Sequence, residues 1–328
     1  MRTTPPALIA AAAAVVLAVG LGAPADAAKG HGHHAHEPYL IDPSGPAADL
    51  VFPEGIATDK HSFYVGSTTD GTIYRGALDG KKATPFLLGG QDGRTSAIGL
   101  KVTDRHLFIA GGATGRFFVY DVKSRRLVGS FAVPDTGAAT FLNDVAVARD
   151  GSVYITDSQR PVLYRVGPRD YRTDGVETLP VFVDFTGTPL QYVPGQFNVN
   201  GIVATPDGKS LVLAQSNTRK LYRVALPSRQ VSEIDLGGGA VAGDGLVLRG
   251  HTLYAVERQG QEGFIVTIRL SHDLRSGTVV SRTTDPTFDD PTTAAIARGR
   301  LLVVNSQFGE RGGVGVLDPF TVSNVRIP

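Results

Sequence analysis

Glu54, Asn143, Asn200 and Asp244 are the residues of this chain whose types could do chemistry together. Each opens a short apolar run: Glu54-Gly55-Ile56-Ala57, Asn143-Asp144-Val145, Asn200-Gly201-Ile202-Val203 and Asp244-Gly245-Leu246-Val247. Two carboxylates and two amide carbonyls are hard oxygen donors, with neither sulfur nor imidazole among them. Such a set suits Ca²⁺ first, then Mg²⁺ or Mn²⁺, with Zn²⁺ a further alternative. Two acids balance a divalent cation; without it they would repel, and one would take up a proton. Taken singly, a Glu, Asn or Asp at a strand start is as readily a turn or capping group. Asp150, Asp157 and Asp207 are read that way. Asp144 follows a candidate ligand and should point to the other side of its strand, where it could help hold a second, structural ion.

What makes the four donors a set is that their surroundings recur. Phe141 to Val147, Asp150-Gly151 and Val153 to Asp157 read as two strands joined by a tight turn. Glu54, Asn200 and Asp244 head the same layout, and weaker copies begin at Ile98 and Thr293. The six equivalent positions are 54, 98, 143, 200, 244 and 293, with steps of 44, 45, 57, 44 and 49 residues. Six repeats of short strands predict an all-β, six-bladed β-propeller, whose first strands line one central channel. Four strands per repeat give about twenty-four, and no long helical period is present. Third strands are expected at 71–75, 116–120, 161–165, 220–224, 264–268 and 313–316, and fourth strands at, for example, 126–131 and 230–234. Tyr39-Leu40-Ile41 could add an outer strand to the last repeat and close the ring. Residues 167–199 lengthen the third repeat and should loop over one mouth, carrying Phe197.

Composition narrows the partners. The chain has 328 residues, 42% of them hydrophobic, with 40 glycines, 20 prolines and no cysteine. This is material for one large turn-rich β domain, without disulfides or thiol chemistry. The net charge of +1 argues for neither nucleic acid nor an anionic membrane surface as partner. Residues 1–28 read as a signal peptide, with Arg2, an apolar run from Leu8 to Leu21, and Ala25-Asp26-Ala27 as cleavage site. Residues 29–49 form a His-rich flexible segment, whose histidines from His31 to His36 catch metal only incidentally, and 50–328 the propeller. The expectation is a secreted bacterial monomer, off the membrane once cleaved, acting on a small molecule.

The runs Pro53-Glu54-Gly55-Ile56, Asn143-Asp144-Val145 with Tyr154-Ile155-Thr156-Asp157, Asn200-Gly201-Ile202 with Pro206-Asp207-Gly208, and Asp244-Gly245-Leu246 resemble the SMP-30/gluconolactonase group. That group belongs to a superfamily with paraoxonases, diisopropyl-fluorophosphatase and strictosidine synthase. The resemblance spans about residues 50–320 by repeat layout. It implies that Glu54, Asn143, Asn200 and Asp244 hold the catalytic cation and that Ile98 and Thr293 stand at the metal-free positions. It further implies a Ca²⁺-type hydrolase of lactones or related esters, with Asp244 as base or nucleophile and Glu54 beside it. Two departures stand out. Phe141 lies where sugar-lactone enzymes tend to carry an arginine, and His61, His106 and His251 do not match the paraoxonase pair. Phe141, Phe197, Gln307 and Phe308 should make the mouth apolar. The alternative is a non-catalytic extracellular propeller with a structural Ca²⁺. A metal-free enzyme using Glu54 as acid/base sits poorly with retention of both Asn and Asp.

Overall fold

The computed structural model describes residues 36–42, 50–260, 262–313 and 319–328. The signal peptide and the histidines up to His34 fall outside them. Strands bury a continuous apolar run when both faces are covered and alternate when one face is wet. Second strands here are of the first kind: Ser62–Ser67 and Ser210–Gln215 are buried along their whole length. Outermost strands such as Gly277–Thr283 are mostly exposed.

Among the described residues the strands make three four-stranded sheets, one of five and one of eight, which group into six four-stranded antiparallel units. First strands Pro53–Thr58, Leu100–Val102, Leu142–Val147, Val199–Ala204, Leu246–Arg249 and Pro291–Ala297 lie side by side in that order, and the last packs back against the first. One hydrophobic cluster fills each gap between neighbouring units. Tyr154 and Leu163 meet Ile202 and Leu213, for example, and Val256 and Ile265 meet Leu301 and Val303. The chain is an all-β propeller, and its cores lie between its units.

Ring closure uses the N-terminal strand. His36–Ile41 pairs antiparallel with Thr321–Arg326 as the outer strand of the last unit, and parallel with Lys82–Leu87 of the first. Tyr39-Leu40-Ile41 thus closes the ring as expected, and His36–Ile41 belongs to it rather than to a flexible N-terminal segment. Tyr39 packs against Phe63 at 4.7 Å between centroids, and its hydroxyl donates to the Leu78 carbonyl at 2.9 Å.

Two sequence expectations need correction. Residues 167–199 are not one loop. They contain Val181–Asp184, the fourth strand of the third unit, and Val176–Thr178, which extends the neighbouring unit by pairing in parallel with Arg126–Ala132. The turn-rich composition of the segment hid both short strands. The third strand of the last unit is Thr321–Arg326 rather than 313–316, most of which lies outside the described residues. No helix among the described residues is long and apolar enough to cross a membrane.

The closing strand should matter out of proportion to its length. Tyr39→Ala removes a buried ring and its hydrogen bond, and should cost about 3 kcal/mol; denaturant unfolding of the purified variant checks it.

Candidate metal centre

The first and second strands of most units slip register at one place. The slip falls between Pro53 and Ile56, Leu142 and Val145, Val199 and Ile202, and Pro291 and Ala294. Each irregularity contains the donor position or its equivalent. A bulge turns a side chain out of the strand's alternation, and here it frees Glu54, Asn143 and Asn200 from the inter-unit cores.

Neighbouring first strands then approach until backbone touches backbone. A Cβ on Gly55 would stand 1.9 Å from the Ile98 carbonyl oxygen, and one on Gly99 2.3 Å from the Asn143 carbonyl oxygen. One on Gly201 would lie 2.1 Å from the Asp244 carbonyl oxygen, and one on Gly245 1.9 Å from Thr293 Oγ1. The other two joints use side chains. Thr156 Oγ1 donates to the Asn200 carbonyl at 2.8 Å, and the Ile202 N–H donates to Asp144 Oδ2 at 3.1 Å. Thr292 Oγ1 donates to the Glu54 carbonyl at 3.2 Å. All six donor-equivalent positions thus form one tight ring around the axis.

The donors meet electrostatically in that ring. Glu54 and Asn143 are 8% and 4% exposed, and Asn200 and Asp244 are partly buried. Asn200 donates its side-chain amide to the Asp244 carboxylate. Burial first, then the charges of Asp244 and Asp144, push Glu54 well above the usual carboxylate range. Burial also raises Asp244 and Asp144. Lys101 is the cation facing Glu54 and Asp144, while Arg258, which acts on Asp244, is ion-paired with Asp290. Fully ionised, the three acids Glu54, Asp144 and Asp244 would leave two negative charges that Lys101 does not offset. Two buried oxygens, Glu54 Oε2 and Asn143 Oδ1, have no hydrogen-bond partner, and such orphans are costly unless something pairs them. The excess charge and the two orphan oxygens both fit a hard divalent cation. Among the described residues no cluster of three or more His, Asp or Glu side chains is poised for a metal; half of this donor set is amide.

The other candidates sort themselves. Asp144 accepts the N–H groups of Val145 at 2.7 Å and Ile202 at 3.1 Å, so its carboxylate ties the third unit to the fourth. Asp157 caps its turn by accepting the N–H groups of Phe141, Gln159 and Arg160. Asp150 and Asp207 accept from their own turns. His106 packs on Tyr171, and His251 on His272. Phe141 lies beside Gly112 and Ile98, and Phe197 stands edge-on to it at 4.8 Å. Phe308 packs into the seam between the first and last units and is covered by Arg311.

Sequence reasoning missed Lys101, Ser158 and Arg258. Ser158 Oγ accepts from Asn143 Nδ2 at 2.9 Å and donates to the Val199 carbonyl at 2.7 Å. Its signal was present: Ser67, Ser158, Ser216 and Ser306 recur just after or at the end of second strands. Arg258 had none, because only the unusually long Thr252–Gln259 strand carries it to the ring. Beyond the donors, the first strands line a cavity of about 310 Å³ with Ile56, Val147, Val203, Leu248 and Ile296. A larger cavity of about 640 Å³ lies at the closing seam near Tyr39, Arg298 and Arg300, away from the ring.

No protein-family model matches the chain, and no curated protein matches it by sequence. Solved structures do match. The major allergen Mala s 1 of Malassezia sympodialis aligns over 84% of this chain and 93% of its own, with 16% identity and a TM-score of 0.63. A luciferin-regenerating enzyme covers 88% and 95%, with 15% identity and a TM-score of 0.59. The calcium-binding protein regucalcin of Agrobacterium tumefaciens covers 88% and 95%, with 17% identity and a TM-score of 0.58. The fold is that of gluconolactonase- and regucalcin-like propellers. At such identities the likeness is one of fold.

Two expectations follow from the ring. Gly201→Ala should destabilise by about 2 kcal/mol and weaken Ca²⁺ binding at least tenfold, as read by thermal unfolding and calorimetry. The second concerns pH. Glu54, Asp144 and Asp244 are raised in the folded state, so their contribution to stability is present below about pH 4 and is lost as pH rises through the raised values. Depressed carboxylates such as Asp70 and Asp207 act in the opposite sense, below that window. Added Ca²⁺ should therefore raise the melting temperature more at pH 8 than at pH 5, and Asp244→Asn should shrink the difference.

Proposed function

We propose that this chain is a secreted hydrolase of lactones or related esters that works with a divalent cation, Ca²⁺ first, held by Glu54, Asn143, Asn200 and Asp244. What supports this reading is the mutual repulsion of buried Glu54, Asp244 and Asp144, with Glu54 Oε2 and Asn143 Oδ1 buried and unpartnered. Structural neighbours include a gluconolactonase-type protein and a luciferin-regenerating enzyme, which is compatible with it.

A bound cation would supply positive charge for the carbonyl oxygen of the substrate. The chain's own residues divide the remaining work. Asp244 is partly exposed, unlike Glu54, and its raised affinity for protons suits it to take one from an attacking water at a carboxylate oxygen. Ser158 holds Asn143 by its Nδ2, which leaves the amide oxygen as the group offered to an ion. Arg258 sits one strand away, paired with Asp290.

A second reading, a non-catalytic extracellular propeller whose ion only ties units together, draws support from the ring itself, since the same residues hold neighbouring first strands in contact. Activity separates the two. Hydrolysis of a panel of lactones and aryl esters is measured with Ca²⁺ and with EDTA, for the wild type and Asp244→Ala. The hydrolase reading expects turnover that EDTA abolishes and that Asp244→Ala lowers at least a hundredfold. Calcium binding without turnover of any substrate would leave the structural role.

A further inference from the structure

Opposite sides of the channel mouth differ in chemistry. On the side of the second to fourth units, Ile98 and Phe141 flank Gly112 so closely that a Cβ there would lie 2.9 Å from Ile98 Cγ1 and 3.4 Å from Phe141 Cε2. Phe197 closes this wall edge-on, 4.8 Å from Phe141 between centroids, and is 50% exposed. Phe141 precedes the donor Asn143 by two residues, and its carbonyl accepts the N–H of Ser158, whose hydroxyl accepts from Asn143. The apolar wall is therefore bolted to the donor ring. Asp157 fixes it further by accepting the Phe141 N–H at 2.9 Å. An exposed aromatic in such a place has no core to fill.

On the side of the fifth and sixth units stands a cation. Asp244 donates its N–H to the Val256 carbonyl at 2.8 Å, and Val256 donates to the Gly245 carbonyl at 3.0 Å. Arg258 lies two residues further along the same strand, on the mouth side of the ring. Its Nη1 donates to Asp290 Oδ1, and Asp290 is held by the N–H of Gly309 at 2.8 Å through its other oxygen. A guanidinium carries five N–H donors in a planar fork suited to carboxylates. Asp290 thus positions Arg258 while occupying one end of it, and the Arg258 side chain remains 44% exposed.

We propose that the mouth selects a ligand with an apolar, ring- or chain-like body and a carboxylate, the body lying on Phe141 and Phe197 and the carboxylate on Arg258. This rests on the reading of the ring as a substrate site and names its substrate class: lactones or esters with a hydrophobic body that keep a free carboxylate apart from the scissile bond, as opposed to polyhydroxylated sugar lactones. A sugar acid would strip water from many hydroxyls against aromatic faces that cannot hydrogen-bond them. An aryl or alkyl body loses nothing polar there and gains ring contact.

The test reads binding, so it does not depend on turnover. The Ca²⁺-equilibrated full chain is titrated calorimetrically with 4-phenylbutyrate, with gluconate, and with 4-phenylbutyramide, which lacks the carboxylate. Calcium binding is titrated separately, so that failure of the metal ring is seen apart from failure of the mouth. Phenylbutyrate should bind at least about tenfold more tightly than gluconate. Phe197→Ala, a change at an exposed side chain, should weaken phenylbutyrate about fivefold and leave gluconate unchanged. Arg258→Gln should weaken phenylbutyrate and leave the amide unaffected. Gluconate binding as tightly as phenylbutyrate, no phenylbutyrate binding, or affinities unmoved by either substitution would overturn the proposal.

Discussion

Backbone of one unit touches backbone of the next at the ring, and the molecule is drawn to that tolerance. Gly55, Gly99, Gly201 and Gly245 each sit where even a methyl group would stand about 2 Å from an atom of the following unit. Ordinary sheet packing keeps layers about 10 Å apart through interposed side chains. Near the axis there is no room for such a layer, so polar backbone meets polar backbone and the side chains are turned aside. The register slips at the donor positions are how they are turned.

That crowding concentrates charge. Glu54, Asp144 and Asp244 come from three units and would each be an ordinary surface acid in an unfolded chain. Held together out of water, they repel, and all three are held above their usual range. Lys101 relieves part of this, and the hydrogen bonds to Asp144 relieve a further part. Fully ionised, the three would leave a pair of uncompensated negative charges beside two orphaned oxygens, an arrangement that fits a divalent cation. The joints that hold neighbouring units together thus carry the candidate donors.

The closure of the ring follows the same economy. A propeller with a free seam would open between its first and last units. His36–Ile41 covers that seam by pairing with strands at both ends of the chain, and Tyr39 plugs it from inside. The mouth above the ring is assembled from loops instead, which is where its individuality lies: Phe197 on a turn-rich segment, and Arg258 on an overlong hairpin.

Much of this was legible in the residues alone. The recurrence of a short apolar run behind one repeated position revealed the repeat and the strand content and pointed to four candidate donors, because strand alternation and turn chemistry are local. The glycines of the ring could be counted in the chain, but the reason for them could not, since each answers to an atom some forty residues away. Lys101 and Arg258 were invisible for the same reason: nothing in a stretch of sequence states which charge will face which across an axis. Asp144 shows the division most clearly. Its neighbours suggested a second ion, whereas the folded chain gave its oxygens two backbone N–H groups. Local pattern set the strands and the candidates; the closing of the ring alone decided which candidates share a space, because that proximity is created by packing between units distant in the chain.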